Sequence, residues 1–154
     1  MNEKLVAIKA TIVAAWTALG ALLGWRGVML IGWVVAMALD YITGSLAACK
    51  AGEWSSATAR EGLWHKGGMI TVVMVSALAD GVMAVVANYL PLEISWPGLV
   101  LPLVTTWYIL TELGSILENA VKMGAPVPSW LVNILKAGKD AMDKAGENAI
   151  GKEA

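Results

Sequence analysis

The sequence predicts an all-α integral membrane protein with about four transmembrane helices and both termini cytoplasmic. Three observations carry that prediction. The first is composition. Of 154 residues, 58% are hydrophobic and 15% charged, against roughly 45–50% and about 25% in an average soluble domain. The mean hydropathy is +0.66. A body this small has too little interior to bury so much apolar surface. The second is a set of four runs close to the ~20 apolar residues that a bilayer-spanning helix needs. The third is the distribution of basic residues among the loops. No stretch shows the alternating pattern of a membrane barrel strand.

The first span runs from Leu5 to Gly24 and is interrupted by Lys9. It is long and lacks a small-x-small cleavage site before Trp25, so it reads as a retained span rather than a signal peptide. The second runs from Val28 to Cys49 and carries Asp40. A cytoplasmic loop, 50–67, follows. Within it Thr58-Ala59-Arg60-Glu61 has capping-box spacing. That fits a short interfacial helix with Leu63 and Trp64 in the headgroup layer and Arg60 and Lys66 at phosphates; a solvated loop fits equally. The third span runs from Gly68 to Leu90 with Asp80, and the fourth from Gly98 to Ala120 with Glu112 and Glu118. Residues 1–124 thus form a membrane domain and 125–154 a cytoplasmic tail. Pro126 and Pro128 end the fourth helix, because proline lacks the amide proton and restricts its predecessor. A short amphipathic helix after Ser129 places Leu131, Ile134, Leu135 and Met142 on one side, and beyond Lys144 the end is polar and flexible.

With four spans, one side holds Lys4, Lys9, Lys50, Arg60, Lys66, Lys122, Lys136, Lys139, Lys144 and Lys152, and the other only Arg26. Basic loops stay cytoplasmic. Trp25 and Trp96 fall at the outer boundary and Trp54 and Trp64 at the inner one, where indole rings favour the headgroup layer. Trp16, Trp33 and Trp107 lie deeper and read as lipid-facing bulk.

The informative residues are the acids inside the spans. A central Asp costs about 2.5–3.5 kcal/mol on insertion scales, while a Leu returns about 0.3–0.6. Asp40, Asp80 and Glu112 each fall near the middle of a span and should point at one another, at polar groups or at water. Thr105, Tyr108, Glu112, Ser115 and Asn119 recur three or four apart and share one face, with Glu118 beside them. Small residues at helical spacing, Gly20 with Gly24 and Gly44 beside Asp40, are candidates for close helix packing. Two readings fit these stripes: glue within one four-helix bundle, or an assembly surface and pore lining formed between copies. Because no basic residue stands at their depth in this reading, some of the acids are expected to be protonated in the intact membrane and to ionise when water enters.

Several function classes are excluded. A net charge of −1, from 11 basic and 12 acidic residues, provides no excess to neutralise a nucleic acid. A single cysteine, Cys49, forms no internal disulfide and no thiolate metal site. One histidine, His65, and no ligand-spaced cluster imply no metal. No phosphate-cradling loop is present, and Ser115 has no histidine in its span to activate it. No enzyme, catalytic residue or cofactor is expected.

Certain words in the sequence are more specific. They are Ala38-Leu39-Asp40-Tyr41-Ile42-Thr43-Gly44, then Ser55-Ser56 and Gly62 through Lys66, then Glu112-Leu113-Gly114-Ser115-Ile116-Leu117-Glu118-Asn119-Ala120, and last Met123-Gly124-Ala125-Pro126-Val127-Pro128. In this order they resemble the phage holin family, also called the toxin-secretion/phage-lysis holin family, over roughly residues 10–138. The family positions matched are Asp40, Tyr41, Thr43, Gly44, Ser115, Glu118 and Asn119. The resemblance implies a multi-pass protein of the bacterial host's cytoplasmic membrane. It implies a homo-oligomer in lipid that opens lesions through which an endolysin, or in some relatives a toxin, leaves the cytoplasm. The endolysin is then a functional partner without necessary direct contact. The alternative is a small proton- or ion-coupled transporter with the acids as relay; a third reading is a structural membrane subunit.

Overall fold

The computed structural model describes residues 3–89 and 96–151. Leu90, Lys152 and the side chains of Leu5 and Trp16 lie outside the described residues. Four helices follow in order: α1 (Glu3–Ala51), α2 (Ser56–Tyr89), α3 (Val100–Lys122) and α4 (Ser129–Gly151). Among the described residues there is no strand. Three segments are long and apolar enough to cross a membrane: Gly20–Ala51, Ser56–Tyr89 and Val100–Lys122.

α1 is broken at Gly24, whose φ of 68° and ψ of 173° leave the helical region. Only glycine reaches that conformation without a Cβ clash. A Cβ on Gly20 would lie 3.6 Å from Val28 Cγ2. Eight residues of continuous helix would separate the two by about 12 Å, so the chain doubles back at Gly24. This residue is therefore a turn rather than the packing glycine the sequence suggests.

α2 begins a full three turns before the expected third span. The loop expected over 50–67 shrinks to the short turn between Ala51 and Ser56. Its start is fixed by Ser55, whose Oγ accepts the Thr58 amide at 3.1 Å; the cap is Ser55, not Thr58. The Lys50-side ends of α1 and α3 close alike. Gly52 N–H donates to Cys49 O and Glu53 N–H to Ala48 O, and likewise Gly124 to Val121 O and Ala125 to Ala120 O. These paired bonds satisfy carbonyls that a helix end leaves bare. Lys50 Nζ then donates to Met123 O and ties the two ends together.

α3 is the hub, packing against α1, α2 and α4, while α1 and α2 touch little. The second half of α1 runs parallel to α3, pairing Met29 with Thr106, Trp33 with Tyr108 and Gly44 with Asn119. The core comprises Trp33, Met37, Met69 and Val73. Trp33 is buried and stacked on Tyr108 at 6.1 Å, which corrects its reading as lipid-facing bulk.

α4 turns back along α3 after Pro126 and Pro128. A Cβ on Gly138 would meet Leu110 Cδ1 at 3.1 Å, and Lys139 Nζ sits 4.1 Å from the Trp107 ring centroid, so Trp107 lies under α4 rather than in lipid. Leu131, Leu135 and Met142 are partly covered, whereas Ile134 points outward. The helix passes Lys144, where the sequence suggests a flexible end, and continues to Gly151. Asp140 and Lys144 stand at a favourable four-residue interval, and Ala141, Ala145 and Ala149 are strong helix formers.

Candidate functional site

The two acids nearest the Lys50 end share one cation. Lys66 Nζ lies 2.9 Å from Asp40 Oδ2 and 2.9 and 2.7 Å from Glu112 Oε1 and Oε2. The three side chains are 12%, 18% and 4% exposed respectively. Each comes from a different helix: Asp40 from α1, Lys66 from α2, Glu112 from α3. Asp40 Oδ1 also accepts from Asn119 Nδ2 at 3.2 Å, and Asn119 reaches Thr43 Oγ1 at 3.3 Å. Gly44 lets Asn119 in: a Cβ there would lie 3.4 Å from Nδ2. The network opens onto a cavity of about 420 Å³ whose lining includes Tyr41, Trp54, His65 and Ser115. A buried carboxylate is tolerated when paired and hydrogen-bonded, and this arrangement supplies both conditions.

This overturns two expectations. The acids do have a basic partner, and Lys66 is not at the phosphates. The signal was present in α2: Lys66, Met69, Val73, Ser76 and Asp80 recur at three- and four-residue intervals. The last four are buried, so Lys66 heads the stripe that faces the bundle. Treating 50–67 as a loop hid that continuity.

The acids are not at one depth. Asp40 lies eleven residues before Ala51, Glu112 ten before Lys122, and Asp80 nine before Tyr89 at the opposite end. Asp80 closes the start of α3. Its Oδ1 accepts from the Val100 amide at 3.1 Å and from Trp96 Nε1 at 3.0 Å, and its Oδ2 accepts from the Leu101 amide at 2.9 Å. Leu99, at the cap position, offers no side-chain bond, so a neighbouring helix supplies the cap. The negative charge also complements the positive end of the α3 dipole. Arg26 completes this end, donating from Nη2 to Pro97 O at 3.0 Å and Gly98 O at 3.1 Å.

The face expected to run continuously along α3 divides. Thr105, Glu112 and Asn119, seven residues apart, are buried. Ser115 borders the cavity beside Lys66 and a second space under α4, and Glu118 is exposed toward that second space. Thr105 Oγ1 and Trp33 Nε1 are buried without a partner among the described residues. Gly20 packs beside Val28. No group of ligating side chains suited to a metal occurs among the described residues.

The family model of the bacteriophage holin family matches residues 17–140. The chain belongs to this family. Holins are non-enzymatic membrane proteins. Similar chains include an uncharacterized protein of Clostridium perfringens strain 13, 29% identical over 136 residues, spanning 88% of this chain and 93% of the relative. An uncharacterized 14.9 kDa protein of Clostridium perfringens from the nagH 3′ region is 31% identical over 129 residues, spanning 84% and 90%. A protein of Listeria monocytogenes, also uncharacterized, is 29% identical over 140 residues, spanning 88% and 92%. No solved structure matches.

Proposed function

We propose that this holin-family chain oligomerises in the bacterial cytoplasmic membrane and opens lesions that release an endolysin, or a toxin, from the cytoplasm. The observation that carries the reading is the match to the bacteriophage holin family over residues 17–140, and Lys66 shared between Asp40 and Glu112 suits it. A lesion-forming protein must stay closed in lipid and then tolerate water. An ion triad drawn from three helices suits both states. It is satisfied while the helices are together, and its members are readily hydrated once they part. Asp40, Asp80, Glu112, Ser115, Glu118 and Asn119 are the assembly or lining residues in this reading.

The topology proposed has four spans, with the N-terminus and the Lys50 end of the bundle cytoplasmic. The reversal at Gly24 supports a separate first span over 5–24. Lys50, Arg60, Lys66 and Lys122 all gather at one end of the bundle and Arg26 at the other, a bias that favours the Lys50 end inside. The transport alternative takes the membrane acids as a relay; the placing of Asp80 at the Arg26 end, apart from Asp40 and Glu112 at the Lys50 end, and the charge bias both favour the lesion reading over it.

The test is culture density after induced expression, with and without a signal-less endolysin in the cytoplasm. Abrupt lysis after a delay, dependent on the endolysin and advanced by an energy poison, is the expected result. Steady growth at verified membrane expression rejects lesion formation.

A further inference from the structure

α3 carries a second polar row that the lysine network does not use. Thr111, Ser115 and Glu118 lie four and three residues apart and share a face. α4 presents Lys136, Lys139, Asp140 and Asp143 at the same kind of interval. Both rows line one open trough of about 640 Å³ between the two helices. The trough reaches along α3 from Val121 to Trp107, about 21 Å at the helical rise, and so runs at membrane depth. Among the described residues, no carboxylate lies within 4 Å of the Lys136 or Lys139 ammonium; Lys139 instead stands over Trp107. Charged groups at that depth cannot face acyl chains unpaired. On another side of α4, Trp130 and Ile134 are exposed and apolar, which suits lipid. The helix therefore offers one face to each solvent.

We propose that this trough holds water in the membrane, and that α4 lines the aqueous path of the lesion with Lys136, Lys139, Asp140 and Asp143. The proposal rests on the lesion reading above and names the element that forms the wall. α4 is then part of the membrane assembly rather than a cytoplasmic tail, and because it runs antiparallel to α3 its end at Gly151 lies toward the Arg26 side, in place of the cytoplasmic C-terminus that the sequence suggests.

The test uses untriggered full-length protein in inside-out membrane vesicles, with the free and exposed Cys49 changed to serine. The Leu110→Cys/Gly138→Cys pair reports whether α4 lies along α3 in the membrane. Asp140→Cys reports water in the trough through its reaction with a membrane-impermeant maleimide. Val72→Cys, on the exposed apolar side of α2, is the lipid-facing reference. The expected results are a disulfide on mild oxidation and labelling of Asp140→Cys at least about tenfold faster than Val72→Cys, since thiolate formation is suppressed by a unit or more of pKa in an apolar medium. Trp107→Cys/Lys139→Cys repeats the first measurement should the first pair fail to accumulate. No disulfide in variants that reach wild-type levels overturns the proposal, as does labelling no faster than the reference. Wild-type lysis in the endolysin assay is read separately. If lysis persists while the disulfide is absent, only the role of α4 falls; if lysis is absent, the lesion reading falls.

Discussion

The two ends of α3 handle buried acid in opposite ways. At the Arg26 end, Asp80 is held by backbone amides, an indole and the helix dipole, so its charge is stabilised by dipoles rather than by an ion pair. At the Lys50 end, Asp40 and Glu112 depend on one lysine from a third helix. The first arrangement is local to the α2–α3 pair. The second exists only while α1, α2 and α3 stay together, and α1 and α2 have little other contact. One acid fastens a helix end; the other two report whether the bundle is closed.

Removing Lys66 should therefore have the largest effect. Lys66→Met leaves two carboxylates facing one another in a buried site, and breaking such a pair costs about 3–5 kcal/mol. The expected outcome is a large drop in the thermal unfolding midpoint in detergent, together with early or lost lysis. Adding Asp40→Asn and Glu112→Gln should recover most of the midpoint, because a neutral polar cluster carries no unpaired charge. Failure of the triple variant to recover would mean that Lys66 acts through packing rather than charge. Asp40→Asn alone should be mild, since Lys66 keeps both Glu112 oxygens.

Asp80 is next. Asp80→Ala strips three donors of their acceptor, at about 1–3 kcal/mol for buried groups left unpaired. Asp80→Asn retains one acceptor oxygen and should cost about 1 kcal/mol, the typical scale of a helix cap. Salt provides a further contrast. Buried charges are poorly screened, so neither variant's deficit should shrink by much between low and high salt.

How far the sequence revealed these ends depends on the kind of signal. Apolar runs set the span-length helices, because length and hydropathy are local properties. Asp40 and Glu112 are identifiable as inward-facing because a charge at depth has few permissible surroundings, and Asn119 because it shares the face of Glu112. Their partner is not, because Lys66 sits among residues that read as loop, and helix continuity through Trp64 and His65 is masked by Gly62, Gly67 and Gly68. The depth of Asp80 implies polar surroundings without identifying them. Capping from one helix to the next depends on how α3 meets α2, and no spacing within a single helix encodes that.

Gly98 tests the Arg26 end at a smaller scale. Its φ is +69°, and a Cβ would stand 2.6 Å from Arg26 Nη2. Gly98→Ala thus carries a backbone penalty of about 1–2 kcal/mol and pushes the guanidinium off its two carbonyls. The unfolding midpoint should fall by less than in Asp80→Ala, and Arg26→Gln should add little on top of it. Full additivity of the two would show that Arg26 and Gly98 act separately.

Gly44→Ala should have the smallest effect on stability and separates packing from function. A methyl there stands 3.4 Å from Asn119 Nδ2, a contact that requires Asn119 to yield slightly. Against that, alanine in a helix interior is favoured over glycine by about 0.8–1.0 kcal/mol, so the midpoint should scarcely move. The Asn119 bonds to Asp40 and Thr43 are already long, at 3.2 and 3.3 Å, and they are what the methyl would loosen. Lysis time at equal protein level should therefore change while stability does not. A variant in which both stay fixed would make Asn119 a filler of the α1–α3 seam, and the control of opening would then reside in Lys66 and its two carboxylates alone.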